Sequence, residues 1–209
     1  KMSMAKETAE EEIQAVFDDI QQEIIDNLET LDEEDMETSG SAKKYLLLLL
    51  LLGDLDYRGR IDDVMRRTLK YYGNIALELA SDEIKRLGGK VTKSQKKRIV
   101  DDYINERMDF LNKELNRVTE ERLGNMFAEA ETVADIEKGL VTNYALSEGR
   151  AKIIANNEYH ELQNTVLVRV AKETDEVAAM FITDGILYDS PCIEANGSLW
   201  SVEYAETHP

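Results

Sequence analysis

The 209 residues carry 43 acidic and 25 basic side chains, a net charge of −18, and 33% of the chain is charged while only 7% is aromatic. That length allows one or two domains with a sizeable core, and the composition points to long helices with wet faces. The acidic balance argues against strong nucleic-acid binding, which needs Lys and Arg to displace phosphate counterions. A single Cys excludes an internal disulfide framework.

The charge is concentrated at the start of the chain. Residues 1–41 hold 14 acidic and 2 basic side chains, leaving 29 and 23 for the remainder. Within residues 6–37, Ile13, Phe17, Ile20, Ile24, Leu28 and Leu31 recur at spacings of three and four. They lay one apolar stripe along an acidic helix. The stripe is too narrow for a self-sufficient core, so it must dock, either on its own chain or on a neighbour. Thr38 to Ala42 reads as a short joint. Residues 1–42 therefore form an acidic amphipathic arm, and its stripe is the candidate partner-binding surface.

Leu46 to Leu52 is a run of seven leucines. It falls well short of the roughly 20 apolar residues that cross a bilayer, so no membrane insertion is expected. A helix apolar on all sides is expected to be buried on all sides, by its own chain or by another subunit. A second helix runs from Ile61 to Leu87 and ends at Gly88-Gly89. A third starts near Ser94 and continues to about residue 131, roughly 55 Å at about 1.5 Å per residue. The basic cluster Lys93, Lys96, Lys97 and Arg98 reads as a solvated helix start rather than a phosphate grip. Residues 43–146 thus form a helical bundle.

Thr132 and Asp135 are spaced as a capping pair opening a short helix to about Asn143, and Ser147 caps a further one over 148–173 with Ile153, Ile154, Tyr159, Leu162, Val166 and Val170 inward. The pattern then changes. Val177 to Thr183, Ile186 to Tyr188 and Ser198 to Val202 read as short strands, with Asn196-Gly197 as a hairpin turn between the last two. The fold class is mainly α, with a small α+β module over 147–209.

Gly-rich phosphate loops, GxSxG and HExxH are absent from the sequence. His160 lies between Glu158 and Glu161, but helical spacing turns it away from both, which reads as a surface cluster. Cys192 and His208 are the sharpest candidates for chemistry. They serve as turn or packing residues, as half of a zinc site that would need four ligands, or as a thiol–imidazole pair lacking a third group to orient it. No secretory pattern opens the chain. Lys1 before Met2 and the closing His208-Pro209 suggest a stretch of a longer protein.

Arg150 to Glu158, RAKIIANNE, resembles the RA-x-x-IA-R-T-E helix of the minor head, or head morphogenesis, proteins of tailed phages, named after the F protein of phage Mu. Arg150, Ala151 and Glu158 match it, while Asn156 and Asn157 replace its Arg and Thr. Asp184-Gly185, Asp189 and Cys192, Asn196-Gly197, Trp200 and His208 follow in the family's order. The resemblance covers about 92–209. It implies a structural, non-enzymatic minor capsid protein at the portal vertex of the virion, assembled in the host cytoplasm. Its partners would be portal or major capsid subunits, in several copies per virion, and no cofactor is expected; the zinc that Cys192 and His208 leave open rests on those two residues alone. Some such proteins travel with the DNA. The rival readings are an enzyme carrying a toxin-like or nuclease-like domain past residue 209, and a cellular helical adaptor.

Overall fold

The structure is a computed structural model and describes residues 2–28, 39–174, 179–181, 199–202 and 204. Six helices account for most of them: α1 (Met2–Leu28), α2 (Ser41–Asp54), α3 (Tyr57–Arg86), α4 (Lys93–Glu129), α5 (Val133–Thr142) and α6 (Glu148–Lys172). A 3-10 turn, Tyr144–Leu146, joins the last two, and two short strands follow, β1 (Ala179–Phe181) and β2 (Leu199–Ser201). The protein is mainly helical with a small strand region near its C-terminal end, as the periodicities predict.

The boundaries have local causes. Thr132 accepts from the Asp135 amide at 3.1 Å while the Asp135 carboxylate accepts from the Thr132 amide at 3.0 Å, satisfying two of the donors that a helix start leaves over. The same device opens α4: the Gln95 amide donates to Thr92 Oγ1 at 3.2 Å and the Thr92 amide to Gln95 Oε1 at 2.9 Å. That helix therefore starts at Lys93, one residue ahead of the expected Ser94. Gly88 ends α3 with φ +90, a left-handed conformation that glycine adopts without penalty.

The chain divides into two compact units: residues 1–68 with 105–158, and residues 69–104 with 159–209. In the first, α1 packs against α2, α5 and the 3-10 turn. Ile13, Phe17, Ile20, Ile24 and Leu28 are all buried. Arg60 of α3 reaches Glu23 at 3.0 Å and Asp19 at 3.5 Å, so the acidic sides of α1 are also partly engaged by the same unit. The helix lies on its own chain, and this corrects the reading of its stripe as a partner surface: the unit's own apolar side chains already cover it. Leu31 lies outside the described residues.

The leucine helix departs from expectation in the opposite sense. Leu48 and Leu52 are buried, but Leu46 and Leu50, on the other side of α2, are 57% and 58% exposed. The inward side is pinned to the end of α4. Lys44 donates through Nζ to the Ala130 carbonyl, and Ser41 Oγ donates to the Ala128 carbonyl at 3.2 Å. The Tyr45 ring lies so close to Gly124 that a Cβ there would fall 2.3 Å from its Cε2. Coverage by its own chain is therefore confined to one side of α2, and of the two expected ways of burying the leucines only cover by another subunit remains for Leu46 and Leu50.

In the second unit, Tyr72 and Tyr159 meet edge to face at 5.0 Å, and Gly73 leaves room for Val100, whose Cγ1 would lie 2.8 Å from a Cβ at that glycine. Gln95 and Arg98 at the start of α4 both donate to Glu173 just past the end of α6. β1 and β2 pair antiparallel with Met180 opposite Trp200. The second strand's partner is therefore Ala179–Phe181, within the expected Val177–Thr183 segment. The expected hairpin turn at Asn196-Gly197 and the strand at Ile186 to Tyr188 lie outside the described residues.

Candidate functional site

The helix that carries the family resemblance begins with a capped turn. Ser147 accepts from the Arg150 amide through Oγ at 3.2 Å and sets the direction in which α6 departs. That direction sends the Arg150 side chain inward, where it is 4% exposed. Its guanidinium donates to Thr119 Oγ1 at 2.6 Å, to the Leu115 carbonyl at 3.0 Å and to the Ala145 carbonyl, and it lies 5.6 Å from the centre of the Phe17 ring. Thr119 in turn donates to Leu115 at 2.8 Å, and the Tyr57 hydroxyl makes a long 3.4 Å bond to the same carbonyl.

One planar group thus ties α6 to α4, to the 3-10 turn and to α1. An ammonium could not spread its donors over that set, because only the guanidinium fork presents several in one plane. Among the described residues no carboxylate pairs with it. A buried cation held by carbonyls and a ring is costly to desolvate, and burial lowers the Arg150 pKa from its ordinary value. Burial likewise pushes the Tyr57 hydroxyl up to about 12, against smaller opposing effects from Thr119 and Arg150. Tyr57 and Thr119 are buried as well, so the cluster is closed to solvent and works as a clasp.

Glu158, two turns on, is 3% exposed and receives a bidentate pair from Arg107, Nε to Oε2 at 2.8 Å and Nη2 to Oε1 at 2.9 Å. Two parallel charge-assisted bonds offset part of the desolvation of that carboxylate. This corrects the surface-cluster reading for Glu158, whereas His160 is exposed. Ala151 is buried against the same interior, and Ile153, expected inward, is 49% exposed. Trp200 meets Tyr204 edge to face at 4.9 Å. Asp184, Gly185, Asp189, Cys192, Asn196, Gly197 and His208 lie outside the described residues, and with them the zinc question. Among the described residues no group of three His, Cys, Asp or Glu is placed to hold a metal ion.

Sequence reasoning singled out Arg150 and Glu158 but missed Arg107, Thr119 and Tyr57. Only Thr119 left a trace, as a hydroxyl four residues after Leu115 on a helix, the spacing at which it can bond back. None of these features brings catalytic groups together at a solvent-reachable point. Among the described residues no helix is long and apolar enough to cross a membrane. No protein-family model, curated protein or solved structure matches the chain.

Proposed function

We propose that this chain is a structural, non-enzymatic minor capsid protein of a tailed phage, binding portal or major capsid subunits during head assembly and present in several copies at the portal vertex. The observation that supports this most directly is the burial of Arg150 and Glu158. The two charged residues that match the motif are consumed in holding the first unit together, which suits a motif whose purpose is architecture. Because the stripe of α1 is already covered, the docking surface belongs elsewhere.

The test is co-expression of the full-length protein with the portal protein of the same genome, followed by the mass and zinc content of the purified material. A stable complex with several copies per portal supports the reading, and zinc near one per copy would assign Cys192 and His208 as ligands. A monomer indifferent to the portal and capsid proteins overturns it.

A further inference from the structure

We propose that the outward leucine face of α2 is a docking surface for a helix of a different polypeptide, one whose apolar stripe is bordered by lysines and arginines. Leu46 and Leu50 stand one turn apart and more than half exposed, with Tyr45 exposed and Leu47, Leu49 and Leu51 partly exposed beside them. Positions four apart share a helix face, so Leu46 and Leu50 form one strip, flanked by Leu49 and Leu47. The opposite side of the helix is fixed by Lys44 and Ser41, and Tyr45 holds one flank against Gly124. A strip held this way is preformed, and a partner loses less freedom in docking on it. Apolar faces of this width are what helices laid into grooves recognise.

Charge selects the occupant. The first unit holds 29 acidic and 15 basic residues, a balance of −14. α2 itself carries Lys43, Lys44 and Asp54, one net positive charge, so the acids of the rest of the unit set its negative balance. A second copy brings the same net negative charge to the contact and is repelled by it. An anionic lipid surface is repelled in the same way. A basic-bordered helix is attracted, and the leucines give it a place to settle. The proposal deepens the portal reading by naming the face and chemistry of the contact, and rests on it for the identity of the partner.

The probe is a dye-labelled synthetic helix with a leucine stripe and lysine borders, titrated into the full-length chain and into Leu46→Glu/Leu50→Glu. Both positions are exposed, so circular dichroism and melting should be unchanged. The double variant adds two negative charges. A purely electrostatic contact would tighten, whereas docking on the leucines should weaken roughly tenfold or more. Equal or tighter binding overturns the proposal. So does a concentration-dependent dimer in sedimentation that the variant abolishes, or vesicle binding that it abolishes, since either names another occupant. Co-purification with the portal protein separates the two claims. Capture of both wild type and variant sinks the leucine face and leaves the portal reading standing. Failure of the wild type alongside the expected peptide result sinks the portal reading and leaves the face.

Discussion

Helices α1 and α2 exchange the fates that their compositions suggest. The acidic helix, with one thin apolar stripe, has Ile13 to Leu28 of that stripe buried; the helix with seven leucines leaves two of them in solvent. Periodicity says which face a helix will bury first. It does not say how many neighbours arrive. α1 meets α2, α5, the 3-10 turn and the Arg150 guanidinium along its stripe, whereas α2 has its contacts confined to one side.

The strongest way to break this contrast is to put equal charges on the two helices. Ile20→Asp/Ile24→Asp should cost more than about 5 kcal/mol, because two carboxylates enter a dry interior without partners. Circular dichroism should show loss of the cooperative transition, and a melting temperature near wild type would refute the burial of α1. Next comes alkali. Tyr57 is neutral in the fold up to about 12 against 10.0 for the free side chain, so its linked stability is fully present below pH 10 and is lost as pH rises towards 12. The total is roughly 3 kcal/mol. Urea unfolding across that interval should show the decline, and Tyr57→Phe should make it shallower, leaving the share of Tyr159, which burial also raises.

Arg150→Met should cost about 2 kcal/mol through the orphaned Ala145 carbonyl and the lost bonds to Thr119 and Leu115. Arg150→Lys should do no better, since an ammonium there keeps the charge and loses the fork. A lysine variant as stable as wild type would show that charge rather than shape matters at this point. The smallest effect belongs to Leu46→Glu/Leu50→Glu, within about 1 kcal/mol, because solvent already reaches both positions. If that pair melts the protein, α2 is covered after all and the contrast collapses.

Much of the helical layout was legible. Gly88-Gly89, Thr132 with Asp135, and Ser147 punctuate the chain through local chemistry, and local chemistry is what a sequence displays. Thr92 with Gln95 was equally readable, and the basic cluster beside it drew attention away. The partnerships were not legible. Arg107 with Glu158, and Arg150 with Thr119 and Leu115, join residues 31 to 51 positions apart. Nothing in the spacing of either pair distinguishes it from many others. The strand pairing was not legible for a similar reason: Ala179–Phe181 and Leu199–Ser201 lie far apart in the chain, and nothing local in either one names the other.

Seven identical side chains in a row contain almost no positional information. Slid along its groove by one helical turn, the leucine run would offer the interior the same leucines, and packing alone would scarcely tell the two alignments apart. What makes them different is the short prefix Ser41-Ala42-Lys43-Lys44-Tyr45. Ser41 is matched to Ala128, Lys44 to Ala130 and the Tyr45 ring to the bare backbone of Gly124. A shift of one turn, about 5.4 Å, would strand the lysine away from its carbonyl and drive the ring into a residue with a side chain. The prefix is the address, and the leucines are the glue.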